Sequence, residues 1–222
     1  MTGCHLYFVT TCHMEVIKMP SATFFNLPQE KREKLLKAAR EEFARVPFPD
    51  ASINKIIQAA EIPRGSFYQY FVDKEELFRY LMNEFGEQLM SMMEALLEKH
   101  RGDLFAALMD MFDMIQADCR SPESKPIYEG IIQIVGKNQE LGHTLLTSEE
   151  EQCGNICRLC AKVDGNLLDL RGERDMEDIF LILAGVTGPA VVKSILADDP
   201  NTVREHYYNI MNILARGMAK KQ

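Results

Sequence analysis

Two short apolar-periodic stretches, "SINKIIQAA" (52–60) and "RGSFYQYF" (64–71), stand three residues apart, separated by Glu61-Ile62-Pro63. Proline cannot continue a helix, because it lacks an N–H and its ring clashes with the preceding turn. Each stretch is therefore confined to about two helical turns, and the "EIP" bend between them is tight. That is the spacing of a helix-turn-helix, in which the second helix enters a DNA major groove.

The helical period sorts the second stretch. Phe67, Tyr70 and Phe71 fall at i, i+3 and i+4 and face inward, whereas Arg64, Ser66, Tyr68 and Gln69 remain outside. Gly65 allows a backbone approach without a Cβ in the way. Lys74 and the N-terminus of the following helix offer a cation and N–H groups to phosphate. Ser52 and Lys55 on the preceding helix complete the DNA-facing set.

The remainder after Pro28 is helical in pattern, so the fold class is all-α. "QEKREKLLKAAREEFARV" aligns Leu35, Leu36, Ala39, Phe43 and Val46 on one stripe, and "VPFPD" (46–50) breaks it. Ser52 stands where an N-cap belongs, ahead of inward Ile53, Ile56, Ile57 and Ala60. Asp73 is placed to cap a long helix beginning "KEELFRYLMNEF". Further helices are expected near 102–119, 122–137, 139–163, 173–197 and 201–220, punctuated by Gly102, Pro122, Gly172 and Pro200.

The net charge of −8 conceals a split. Residues 1–74 carry 10 Lys and Arg against 8 Asp and Glu, a net of +2; residues 75–222 carry 15 against 25, a net of −10. For a nucleic-acid partner the local field matters more than the sum. The longest uncharged apolar run, Ile179 to Val192, is too short for a bilayer and reads as a buried helix. The first 18 residues lack the basic start of a secretory signal, so the cytoplasm is expected and the six cysteines are read as reduced thiols. The simplest reading of "MTGCHLYFVTTCHMEVIK", with Cys4, His5, Cys12 and His13 in no familiar zinc pattern, places it ahead of a native start at Met19.

Residues 31–81, "KREKLLKAAREEFARVPFPDASINKIIQAAEIPRGSFYQYFVDKEELFRYL", resemble the DNA-binding domain of the TetR (tetracycline-repressor-like) family. The family pattern is a basic first helix with an "AA…F" core, a Ser/Thr-capped "I..IA..AG" helix, then "[KR]G[ST][LF]Y.YF" and "KE.L"; each piece has a counterpart here, in order. The resemblance implies groove contacts by Arg64, Ser66, Tyr68 and Gln69, the family glycine at Gly65, a DNA-touching position at Tyr70 and a phosphate-gripping Lys74. Two departures stand out. "EIP" replaces a turn that usually contains glycine, and "VPFPD" is richer in proline than usual.

The implied organisation is an N-terminal extension (1–25), a three-helix DNA-binding domain with the helix-turn-helix (26–73), and a helical effector-binding and dimerisation domain (74–222). Implied partners are a palindromic double-stranded operator, an effector that is partly apolar, and a second copy of the chain. "DIFLILAGVTGPAVVKSIL" is apolar nearly all round, with small Ala184, Gly185, Gly188 and Ala190 permitting close approach. The last helix repeats Val203, Tyr207, Ile210, Met211, Leu214 and Met218. The homodimer is expected through these two helices, near 173–197 and 201–220, as a four-helix interface, with an intramolecular core as the alternative.

For the effector pocket the candidates are Phe85, Met93, Met109, Phe112, Tyr128 and His143, drawn from a region rich in Met and Phe. Cys153, Cys157 and Cys160 repeat at i, i+4, i+7; they offer thiol or soft-metal sensing as the second functional reading. No resident cofactor or structural metal is expected. An enzyme is the third reading, and the sequence has no nucleophile–base motif or phosphate loop to support it.

Overall fold

The computed structural model describes residues 20–138 and 157–218. The expectations placed on residues 1–19, His143 and Cys153 lie outside them. The described residues form nine α-helices and no strand: α1 (Ala22–Phe25), α2 (Gln29–Arg45), α3 (Ile53–Ala59), α4 (Arg64–Tyr70), α5 (Lys74–Lys99), α6 (Leu104–Asp118), α7 (Lys125–Lys137), α8 (Asp175–Leu196) and α9 (Pro200–Met218). Residues 157–160 are also helical.

Pro28 opens α2, and the Pro47/Pro49 pair ends it in a single 3-10 turn, Phe48–Asp50. The long α5 is capped by Asp73, whose Oδ1 accepts the Glu76 N–H at 2.8 Å. It ends at Lys99, and the chain turns away at Gly102, where φ is +81° and a Cβ would run into the backbone nitrogen of Asp164. Only glycine fits both demands.

Two cores follow from the helix faces. The first is aromatic: Phe24, Phe43, Phe67 and Phe71 are 0–1% exposed, and Ile131 and Ile134 of α7 join them. The second gathers Leu97, Leu104, Phe112, Leu183, Tyr207 and Met211 from α5, α6, α8 and α9. The head is thus not closed by residues 26–73 alone. Phe24 from the expected N-terminal extension lies within it, and so do Leu77, Phe78, Leu81 and Met82 of α5. From α7, Asn138 Oδ1 accepts the Phe48 N–H at 2.7 Å, while Lys137 Nζ donates to the carbonyls of Ala44 and Arg45 at the end of α2.

The C-terminal helices are tied by buried and half-buried polar pairs. Gln116 Nε2 donates to Ser194 Oγ at 2.8 Å and to the Pro200 carbonyl at 2.9 Å. The Thr187 and Tyr207 hydroxyls pair at 3.0 Å. Arg204 grips Asp113 through two 2.6 Å bonds, and Tyr208 OH adds a third at 2.7 Å. Burial raises the Asp113 carboxyl, but these donors outweigh it and hold it below the ordinary range.

Candidate nucleic-acid interface

Local geometry explains how α4 is presented. At the end of α3 the Ile62 N–H reaches the Ile57 carbonyl at 3.0 Å and the Glu61 N–H reaches Gln58 at 3.2 Å. This is the double-bonded helix stop that favours a left-handed residue at its centre, usually glycine. Glu61 occupies that position with φ 55°. The missing glycine therefore leaves the path of the turn unchanged, at the cost of a strained glutamate. Its carboxylate meets Lys34 Nζ at 2.6 Å, and this hydrogen bond and charge lower its pKa. Pro63 then stands at the N-cap position of α4 in extended backbone, with no side-chain cap.

On α4 the rings turn inward: Phe67 is 0% and Tyr70 9% exposed, with Phe71 at 1% just beyond. Outward stand Arg64, Gly65, Tyr68 and Gln69, with Tyr68 49% exposed and Ser66 half-buried. Arg64 Nη1 donates to Asn54 Oδ1 at 3.1 Å, bracing α4 against α3. Lys55 is exposed on α3 and Ser52 is half-buried. A Cβ at Gly65 would meet no neighbouring atom of this chain, so internal packing does not demand this glycine.

Three expected contacts sit differently. Tyr70 is a core ring, 6.5 Å from Phe24 between centroids, because its helical position falls under α1. Lys74 spends its three N–H donors on the carbonyls of Phe48 (2.8 Å), Pro49 (2.8 Å) and Ala51 (3.2 Å), with the Phe48 ring 4.8 Å beneath the charge. The proline-rich turn has carbonyls without helical partners, and the ammonium satisfies them. Ser52 sits at the N-cap position of α3 but makes no side-chain cap. Instead the buried Glu42 accepts the Ser52 N–H at 2.9 Å. Arg45 hydrogen bonds hold the Glu42 carboxyl below its ordinary pKa despite burial, with the Ser52 amide adding to them.

Sequence reasoning passed over Ser21. Its N–H donates to the Tyr70 carbonyl at 3.0 Å and its hydroxyl to that of Gln69. A serine followed by two phenylalanines just before a proline is the faint signal that marks it.

The pocket candidates divide between the cores. Phe85 and Tyr128 meet edge to face at 6.2 Å beside the aromatic head. Burial, then an Asp118 hydrogen bond, pushes the Tyr128 phenol up to about 12. Met93 and Phe112 are buried in the second core, with Met109 packed against it. The Phe112 ring stacks on Tyr207 at 4.5 Å. The structure therefore does not bring the five described candidates to one place. Burial, followed by the neighbouring Cys157 and Glu177, raises the Cys160 thiol to about 11, opposite to the low pKa of a reactive sensor thiol.

α8 differs most from expectation. Only Ile179, Leu183, Thr187 and Ser194 are buried in it, whereas Leu181, Ile182, Val192 and Leu196 are 38–61% exposed. Among the described residues it is the one helix long and apolar enough to cross a membrane, with mean hydropathy 2.0 and 22% of that stretch buried. Its inner stripe is hydrogen-bonded to α6 and α9 through Ser194 and Thr187. The Val203, Tyr207 and Met211 stripe of α9, expected at a dimer interface, is core; Ile213 is exposed on the same helix.

Comparison with known proteins bears on this geometry. Residues 35–81 match the model of bacterial regulatory proteins of the tetR family. An uncharacterized HTH-type transcriptional regulator of Bacillus subtilis, YdgC, is 29% identical over 126 residues, which span 50% of this chain and 65% of YdgC. A TetR family regulator structure from Chloroflexus aurantiacus covers 92% of this chain and 100% of its own, with 24% identity and a TM-score of 0.55. The structure of NalD from Pseudomonas aeruginosa, the secondary repressor of the MexAB-OprM multidrug efflux pump, covers 87% and 98%, with 20% identity and a TM-score of 0.59. The helix-turn-helix thus lies in the segment matched to the bacterial regulatory proteins of the tetR family, and the helical body behind it shares its fold with TetR family regulator structures.

Proposed function

We propose that this chain is a homodimeric DNA-binding transcriptional repressor, released from a palindromic operator when a small molecule binds its C-terminal half. The observation that carries the reading is the outer face of α4. Arg64, Tyr68 and Gln69 project from a helix fixed from behind by three buried rings, and Tyr68 keeps half its surface open. The Tyr68 ring rests edge-on against Phe67 at 5.3 Å, and its open half, between a cation and an amide, suits base edges and phosphates in a major groove. Lys55 adds a second exposed cation on α3.

The dimer is supported by the outer stripe of α8, where Leu181, Gly185, Gly188 and Val192 lie on one side. A two-fold pairing of this stripe would set two reading heads on the two halves of a palindrome. The effector belongs to this reading through the family resemblance and the methionine-rich second core.

The test is selection of duplexes from a random pool by the full chain, followed by footprinting at two salt concentrations. The reading requires a two-fold-symmetric site whose affinity falls steeply with salt, because each neutralised phosphate releases counterions. Failure to enrich any sequence at low salt overturns it.

A further inference from the structure

We propose that Ser21 and Phe24, outside the segment matched to the family, are positioning residues of the reading helix: an N-terminal clasp that fixes the orientation of α4. The inference rests on the reading of α4 as the DNA-contacting element. At two turns, α4 is too short to be stable alone. It also ends without a glycine cap: Phe71 follows in extended conformation, with φ −132°, and its N–H bonds only the Phe67 carbonyl. The last carbonyls of α4 must find donors elsewhere.

Ser21 supplies them. Its backbone N–H serves Tyr70 and its hydroxyl serves Gln69. The same hydroxyl oxygen accepts the Phe24 N–H at 3.4 Å, so one side chain both starts α1 and finishes α4. Phe24 then locks the joint. It is fully buried, with ring centroids 4.8 Å from Phe71 and 5.2 Å from Tyr80. Gln69, whose carbonyl is clasped, presents its side chain on the outer face. Tilt of this helix end would displace Tyr68 and Gln69 together.

The experiment compares the full-length chain with Ser21→Ala and Ser21→Thr. It measures amide hydrogen exchange, along with affinity for a duplex enriched by the wild-type chain and for a scrambled duplex. Ser21→Ala removes the hydroxyl but keeps the backbone bond. Exchange of the 67–71 amides should rise roughly three- to tenfold while α2 amides stay unchanged. The preference for enriched over scrambled DNA should fall by a similar factor, a ratio that an altered fraction of folded protein would not move. Ser21→Thr, which keeps a donor and acceptor, should restore both. Unchanged exchange in Ser21→Ala overturns the clasp. Faster exchange with an unchanged ratio overturns its positioning role. If the wild-type chain enriches no duplex, the DNA reading fails, and with it the positioning role, while exchange still decides whether the clasp holds α4.

Discussion

α4 and α8 are built in opposite senses. α4 hides Phe67 and Tyr70 and shows Arg64, Tyr68 and Gln69, the ordinary amphipathic order. α8 buries Thr187 and Ser194, 2% and 3% exposed, beside Ile179 and Leu183, and shows Leu181, Ile182, Val192 and Leu196. Both have an inner face that is satisfied; the rings of α4 are packed, and the α8 hydroxyls are hydrogen-bonded. The two outer faces are therefore where the proposed reading places the partners. A polar and aromatic outer face is stable in water and selective for a charged polymer. On the proposed reading, the apolar outer face of α8, with glycines at 185 and 188, would meet a second copy of the chain across a two-fold axis.

The largest expected effect follows from reversing the odd face. Leu181→Glu places a charge on a surface that is 49% exposed in the single chain, so the fold should survive. The dimer should not, because pairing would desolvate the carboxylate. Loss of the second reading head should weaken operator binding roughly 100-fold or more. Sedimentation shows the assembly directly; a Leu181→Glu chain that remains dimeric would remove α8 as the interface.

On the other face, Tyr68→Ala should cost operator affinity about tenfold, the scale of one good base contact, with little change in melting temperature. Its neighbour Phe67→Ala should instead destabilise the head by about 3–5 kcal/mol, since it empties a fully buried ring site. Binding isotherms and thermal melts on the pair separate the roles. If Tyr68→Ala melts as early as Phe67→Ala, the ring is structural and α4 loses its outer function.

Lysines 55 and 74 sharpen the same division within the head. Lys55→Met should lower the salt slope of DNA binding by about one phosphate contact. Lys74→Met should leave the slope unchanged but destabilise the chain by about 1–2 kcal/mol, because the carbonyls of Phe48, Pro49 and Ala51 lose their common donor. A reduced slope in Lys74→Met would return that lysine to the phosphate-gripping role its family position implies.

What the sequence could and could not show divides along the range of the interaction. The inward and outward sets of α4 are a local period of 3.6 residues, and the proline breaks and the Asp73 cap are local too, so all were legible. The fate of Lys74 depends on a turn 23–26 residues earlier, and the Asn138 bond to Phe48 spans 90 residues; no periodicity carries either. For α8 the pattern reported apolar character all round but not which side the chain itself would cover. Counting Met and Phe named four of the described pocket candidates and a buried polar role named Tyr128, but only packing shows that Phe85 and Tyr128 border one core and Met93, Met109 and Phe112 another.

The smallest expected effect tests the turn that joins the two short helices. Glu61 holds φ 55°, a conformation that crowds the Cβ of any residue except glycine. Glu61→Gly relieves that crowding but adds freedom to the unfolded chain and removes an exposed ion pair with Lys34. Relief of the backbone outweighs both losses, so the melting temperature should rise by roughly 1–3 °C. Because the double-bonded stop at Gln58 and Ile57 is already formed with glutamate, the angle between α3 and α4 should not change, and operator affinity should stay within about twofold. A lower melting temperature would mean that the Lys34 pair, not the backbone, dominates this turn. A large change in affinity would mean that the glutamate itself sets the pitch of α4. In either case the reading face would depend on a side chain in the turn, and the outer surface of α4 would no longer account for recognition by itself.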